Sequence, residues 1–372
     1  MQDHKDVLAS LEARGRLRSL TGQGGLDLTS NDYLGLADSF KLKDAVTAAL
    51  ARGVPVGAGG ARLLRGNHPE HEMLEAEAAA FFGHEAALYF PTGFAANAAI
   101  AATLPRRGDL IVYDALMHAS FRDGLDPARI AAVMAAHNDV NDVEAKIRAW
   151  RAEGGKGQVW IAVETLYGMD GDRAKLADLA ALADRHDAML LLDEAHATGV
   201  FGPGGRGLGS ALEGRENVVS LHTCGKALGV AGGLVCCSAL MRDFLVNRGR
   251  SFIYSTAPSP LVAAAVRAAL KLCEGADAER AALAKLVAEA DGHIKSKLGR
   301  SGSGSQVQPI IIGEDQAAVD VAAAMQARGY DIRAIRPPTV PEGTARLRLS
   351  LSLHVDSAAL EKMFSELADV IA

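Results

Sequence analysis

The sequence predicts an α/β fold: a large, mostly parallel sheet covered by helices on both faces, followed by a small α+β domain. Three observations predict it. Short, wholly apolar runs recur along residues 86–238, as strands buried on both faces require. Stretches of helical periodicity alternate with them. After "YSTAPSP" (254–260) the pattern changes to a long helical run and a few strands of mixed polarity.

The elements follow in order. Residues 1–38 read as an N-terminal arm with a charged helix, "MQDHKDVLASLEARGRLRSL". Residues 39–260 read as the large domain. There "EHEMLEAEAAAFFG" (70–83) predicts a helix and "AALYF" (86–90) a strand. "FPTGFAANAAIAATL" (90–104) predicts a turn opening a second helix. Strands are predicted at "DLIVYD" (109–114), "QVWIAVE" (158–164), "AMLLLDE" (188–194), "VVSLHT" (218–223) and "GLVCCS" (233–238). Helices are predicted at 142–150 and 174–187. Residues 261–372 read as the small domain: one alanine-rich helix over 261–298, the polar loop "SGSGSQ" (301–306), then "VQPIIIG", a helix near 315–328, "YDIRAIR", "ARLRLSLS" and a terminal helix. Few aromatics (5%) and abundant alanine and glycine suit helices packed closely on a sheet.

A net charge of −6 and a pI near 6.0 give no general electrostatic footprint for nucleic acid. The basic "LEARGRLR" (11–18) lacks the interleaved aromatics that nucleic-acid binding would add. The charged start has no apolar core of the secretory kind, and no run reaches the ~18 apolar residues of a spanning helix. Cys224, Cys236, Cys237 and Cys273 show no Cys-x-x-Cys spacing and read as reduced, buried thiols, so a cytoplasmic protein is expected. No metal site is predicted: His68 and His71 are three apart but have no supporting carboxylate pattern. "GPGGRG" (202–207) fits a dinucleotide fingerprint by letter, yet it contains a proline and does not open a helix after a strand. His84, His137 and His186 read as surface or loop residues; His222 reads equally as packing or as a contributor near a phosphate.

The chemistry concentrates where strands end. "MLLLDEAHATG" (189–199) runs an apolar strand into Asp193, with His196 just beyond it. The same logic puts Glu164 after "QVWIAV" and Lys226 after "VVSLHT", and ligands of open α/β sheets collect at that edge. An acid, a histidine and an embedded lysine fit pyridoxal phosphate. The amine condenses with the aldehyde, and the acid keeps the pyridine nitrogen protonated so that the ring accepts electrons. The phosphate needs backbone N–H groups at a helix start, which Thr92, Gly93 and Phe94 of "PTGF" supply. Gly225 and Ala227, flanking the lysine, read as clearance for a flat ring.

Across nearly the whole chain, "NDYLGL" (31–36), "GAGGARLLRGNHPEHEMLE" (57–75), "PTGFAAN" (91–97), "MHAS" (117–120), "MDGD" (169–172), "DEAHATGVFGPGGRG" (193–207), "HTCGKALG" (222–229) and "RPPTVPEGTARLRLSLS" (336–352) stand in the order found in one family. The sequence resembles the α-oxoamine synthases, fold-type I pyridoxal phosphate enzymes with an aminotransferase-like fold. The resemblance implies that Lys226 binds the cofactor and moves the substrate α-proton, Asp193 pairs with the ring nitrogen, and His196 with the ring's 3-oxygen. It implies that His118 stacks on the ring and faces the substrate. Gly93, Phe94 and the Thr223 hydroxyl would hold the phosphate, and Thr256 would reach a phosphate across a homodimer interface. Arg348 would hold the amino-acid carboxylate, while Arg18, Arg336 and Thr339 would line the acyl side.

Within the family, "GNHPEHEMLE" and "RPPTVPEGTARLRLSLS" are most similar to members that condense L-alanine with a pimeloyl group, carried on coenzyme A or acyl carrier protein, in biotin biosynthesis. Glycine C-acetyltransferase, 5-aminolevulinate synthase and serine palmitoyltransferase are the alternatives inside the family. A non-catalytic subunit is the alternative outside it, opposed by the presence of Lys226, Asp193 and His196. The sequence departs at Gly168, where the family commonly has serine before "MDGD". Loss of one such hydrogen bond would cost ~1 kcal/mol.

Overall fold

The computed structural model describes residues 1–20, 22–126 and 130–372. The chain divides into two units: Leu34–Tyr167 with Arg173–Arg280, and Met1–Tyr33 with Gly168–Asp172 and Ala281–Ala372.

The larger unit is built on seven strands: β1 (Ala86–Phe90), β2 (Leu110–Asp114), β3 (Ala131–Ala135), β4 (Val159–Glu164), β5 (Ala188–Asp193), β6 (Val218–Thr223) and β7 (Gly233–Cys237). Their order is β1-β7-β6-β5-β4-β2-β3. Strands β2 to β6 are parallel, and β7 runs antiparallel to both neighbours, β1 and β6. The expected strands form within a residue or so of their sequence limits. β3 was not anticipated.

Alternation explains why the central strands are apolar throughout. In β4, Trp160 and Ala162 join one core with Phe90, Ile100 and Phe121, while Val159, Ile161 and Val163 join another with Leu179, Leu182 and Ile147. Both faces are therefore dry, and each fully buried side chain contributes about 1.5–3 kcal/mol. Carboxylates appear only where the strands stop, which places Asp114, Glu164 and Asp193 at the carboxyl ends of β2, β4 and β5, while β6, which ends in Thr223, also carries Ser220 and His222 within it.

The expected helix over 261–298 is two helices, Pro260–Glu274 and Asp277–Leu298, broken at Gly275. The first packs against Pro69–Phe81 and Phe40–Ala51 inside the larger unit, so residues 261–280 lie with that unit and not with the smaller one. The smaller unit carries an antiparallel sheet of β8 (Val307–Gly313), β9 (Ala334–Ile335) and β10 (Ala345–Ser350), in the order β9-β10-β8. Among the described residues no helix is long and apolar enough to cross a membrane.

Candidate active site

In the larger unit the ends of β5 and β6 bring Lys226, His196 and Asp193 within one polar cluster. Lys226 sits in a tight loop between β6 and β7, closed by bonds from Gly229 N–H to the Lys226 carbonyl (2.8 Å) and from Val230 N–H to Cys224 (2.8 Å). Lys226 Nζ donates to His196 Nε2 at 2.9 Å. Asp193 is buried; its Oδ1 accepts from Ala195 N–H (2.9 Å) and its Oδ2 from Asn97 Nδ2 (2.7 Å).

Asn97 extends the cluster. Its other amide hydrogen goes to Ser120 Oγ (3.1 Å), which spends its own hydrogen on His118 Nδ1 (2.7 Å). Ser120 N–H also donates to that nitrogen, so Nδ1 is an acceptor and Nε2 carries the proton. Burial pushes the His118 pKa down, with the Lys226 charge assisting against Asp193. A neutral imidazole is thus tied to the Asp193 carboxylate through two side chains. Neither Asn97 nor Ser120 was picked out from the sequence, although a lone buried asparagine four residues after Gly93 in an alanine-rich helix is a visible signal.

The phosphate expectation lands on the helix Gly93–Thr103. Thr92 caps it by accepting from Ala95 N–H (3.0 Å), and the Thr92 carbonyl accepts from Ala96 N–H. That leaves Gly93 and Phe94 N–H without acceptors among the described residues, at the positive end of the helix. A Cβ on Gly93 would lie 3.1 Å from Thr223 Oγ1. Only glycine keeps the hydroxyl and the first-turn N–H groups open on one spot. An embedded amine, a buried carboxylate and an anion cradle therefore occur together, and this set fits pyridoxal phosphate.

Other expected residues fall elsewhere. Thr256 is exposed, in a loop whose neighbour Ala257 donates to Gly60, and it makes no hydrogen bond to the cradle. Ala227 is buried against Gly199, where an added Cβ would meet it at 2.6 Å, so its smallness serves packing and not ring clearance. Gly225, by contrast, is open on its Cβ side to 3.9 Å. His68 and His71 cap the helix Pro69–Phe81: His68 N–H donates to His71 Nδ1 (3.2 Å), and His68 Nδ1 accepts from Glu70 N–H (3.1 Å). His137 pairs with Asp114 (2.8 Å) and His186 with Glu144 (3.0 Å).

His84, half-buried, and His222, fully buried, are links in one hydrogen-bonded chain. Thr198 Oγ1 donates to the Glu194 carbonyl (2.9 Å), so it accepts from His222 Nδ1 (2.8 Å). His222 Nε2 then accepts from Ser220 Oγ (2.9 Å), which accepts from His84 Nε2 (3.1 Å). Burial holds both rings neutral, with His84 pushed down to about 4. Glu194 itself is pushed up to about 7 by burial, although Leu208 and Gly209 N–H groups donate to it. This chain fixes the turn that carries His196. Replacing Thr198 by valine is expected to cost about 1–3 kcal/mol, because it strands His222 Nδ1 in the core. Thermal unfolding beside the native protein measures it, and an unchanged midpoint would show that the chain is not holding the turn.

The smaller unit holds its own group. Arg346 and Arg348 lie two apart on β10 and share one face. Arg346 is paired with Asp170. Arg348 has no carboxylate partner among the described residues; Nε donates to the Gly168 carbonyl (2.5 Å), Nη1 to Ser350 Oγ (2.7 Å) and Nη2 to Asn31 Oδ1 (3.1 Å). That leaves one hydrogen on each terminal nitrogen for a forked contact with a carboxylate. Arg18 reaches Thr339 Oγ1 (3.3 Å), and Arg336 donates to the Gly15 carbonyl. Burial, then the neighbouring Arg18 charge, lowers the Arg336 pKa. Arg16, close to Arg18 in the sequence, bonds Asp315 (2.6 Å) at the start of a helix and Glu342 (2.9 Å) in the loop that follows Pro337 and Pro338.

Comparison with known proteins bears on the family and the fold. The family model for class I and II aminotransferases matches residues 23–367. The 8-amino-7-oxononanoate synthase of Anaeromyxobacter dehalogenans (strain 2CP-1) is 40% identical over 99% of this chain and 93% of its own length. That of Chromobacterium violaceum is 38% identical over 98% and 97%. Among solved structures, a serine palmitoyltransferase of S. paucimobilis with bound pyridoxal phosphate and myriocin superposes with a TM-score of 0.86 at 28% identity, covering 92% of this chain and 86% of that one.

Proposed function

The chain belongs to the α-oxoamine synthases, pyridoxal phosphate enzymes of the class I and II aminotransferase fold, and we propose that it makes 8-amino-7-oxononanoate from L-alanine and a pimeloyl thioester. It is a decarboxylating C-acyltransferase of biotin biosynthesis, releasing carbon dioxide and the free thiol. One observation carries the chemistry: an amine at Lys226 Nζ, 2.9 Å from His196, beside a buried carboxylate and an open helix start. The identity of about 40% with named synthases over nearly the full chain supports the choice of substrates.

Pyridoxal phosphate supplies an aldehyde that condenses with amines and a ring that draws electron density from the substrate α-carbon. Asp193, immobilised by Asn97 and Ala195 N–H, holds a negative charge where a ring nitrogen must stay protonated. Lys226 Nζ takes and returns the α-proton, and His196 Nε2 orients it. His118, its Nδ1 saturated by Ser120, presents a fixed flat face with the proton on Nε2. Gly93, Phe94 and Thr223 bind the phosphate. Arg348 binds the alanine carboxylate through its two free N–H groups, the Gly168 carbonyl and Asn31 holding its plane. Arg18, Arg336 and Thr339 bind on the acyl side.

The enzyme works as a cytoplasmic homodimer, with Thr256 serving the partner's cofactor. The exposed position of Thr256 outside its own cradle supports this.

Purified protein supplied with alanine, glycine or serine, each against acetyl, pimeloyl and palmitoyl thioesters, is expected to release thiol fastest with alanine and the pimeloyl donor. A preference for glycine, serine or a palmitoyl donor would assign it to another member of the family.

A further inference from the structure

The stretch "GPGGRG" (202–207) lies in a loop of the larger unit that closes on a carboxylate of its own chain. Just beyond it, Leu208 N–H donates to Glu194 Oε2 (3.0 Å) and Gly209 N–H to Glu194 Oε1 (2.5 Å). Gly207 has a φ of +102°, and a Cβ there would strike the Glu194 carboxylate; a Cβ on Gly209 would lie 2.5 Å from Oε1. These two glycines let the backbone close around the acid. Glu194 is fully buried, and no cation pairs with it among the described residues. Burial pushes its pKa up to about 7, against the Gly209 and Leu208 N–H groups and the Thr165 hydroxyl, which favour the charged form. A buried acid held only by neutral donors costs stability, so the fold would gain from an apolar residue there.

What the acid does is fix position. Glu194 N–H donates to the Leu221 carbonyl of β6 (2.8 Å), so the strand pairing runs one residue past Asp193 and the two side chains turn to opposite faces. The Glu194 carbonyl accepts from Ala197 N–H (3.0 Å) and Thr198 N–H (2.8 Å), the residues that follow His196. The loop then returns toward the lysine: Gly199 N–H donates to the Gly205 carbonyl (2.7 Å), and Gly199 packs on Ala227, the neighbour of Lys226. We propose that Glu194 and loop 202–209 form a buried anchor that holds His196 against Lys226 for proton transfer, Glu194 being a positioning residue. The inference rests on the function proposed above, in which Lys226 moves the α-proton and His196 orients it. Without the carboxylate, the loop loses its two direct bonds to the end of β5, and the 2.9 Å contact of Lys226 with His196 loses its backing.

Glu194→Gln tests it, since the amide keeps the volume but turns one acceptor into a donor facing a backbone N–H. In the cofactor-free protein, hydrogen exchange over residues 195–212 is expected to quicken about tenfold, with β2 and β4 unchanged. In the holoenzyme, alanine deuterated at its α-carbon should lose deuterium to water about tenfold more slowly per bound cofactor, with KM for alanine within about twofold of native. The isotope effect on kcat should rise, because proton transfer has become slower than the later steps. A folding defect alone lowers the amount of active enzyme and leaves that isotope effect where it was. Gly209→Ala, which presses on the carboxylate from the loop side, should give the same signature. Combined with Glu194→Ala, which opens that space, it should cost no more than Glu194→Ala alone. Unchanged exchange over 195–212, a native isotope effect, or a loss of rate matched by lost cofactor would overturn the proposal. Deuterium loss needs no thioester. If it slows as stated while no thioester condenses with alanine, the anchor stands and the reaction assignment fails.

Discussion

Lys226→Ala is expected to lower the condensation rate by about 10⁴-fold or more and to abolish the visible absorption of the lysine–cofactor conjugate. The size of the effect follows from the two tasks that the proposed function rests on one nitrogen, cofactor attachment and transfer of the α-proton. Neither neighbour can form the conjugate: His196 offers an imidazole and Asp193 a carboxylate buried against Asn97, and only an amine condenses with the aldehyde. Retention of a tenth of native activity with the cofactor still attached would place the amine elsewhere. Thermal unfolding serves as the control, since Lys226 is not a core residue and the loop around it is closed by backbone bonds.

Asp193→Asn should cost about 10²–10³-fold in rate while leaving the fold intact. The amide fits the same volume, but it removes the negative charge that keeps a ring nitrogen protonated. It also turns one acceptor into a donor, so one of the two bonds that Asp193 accepts, from Asn97 Nδ2 or from Ala195 N–H, is lost. The loss should therefore exceed that of Asn97→Ala, which disturbs only the linkage. Equal losses in the two variants would mean that the charge contributes nothing beyond positioning.

The strands were legible because burial on both faces writes a continuous apolar run, and the run ends abruptly where β5 reaches Asp193. Lys226 and His196 were legible for the same reason. Asn97 and Ser120 were not, because their value lies in which helix face meets which strand end, and periodicity alone does not give that. β3 was missed because it is an edge strand: Ala131 and Met134 are exposed, so no fully apolar run marks it. The pair Arg346 and Arg348 shows the limit most clearly. Both point the same way along β10, and only the position of Asp170 leaves one of them without a carboxylate. His84 and His222 read as loop or packing residues from sequence, since nothing local records that Thr198 and Ser220 will stand beside them.

The central claim, a decarboxylative carbon–carbon condensation, is tested most directly with alanine labelled in its carboxyl carbon. Incubated with the holoenzyme and a pimeloyl thioester, it should release labelled carbon dioxide in one-to-one proportion with free thiol, leaving an amino ketone that carries no label. Thiol release without labelled carbon dioxide, or label retained in the product, would contradict it.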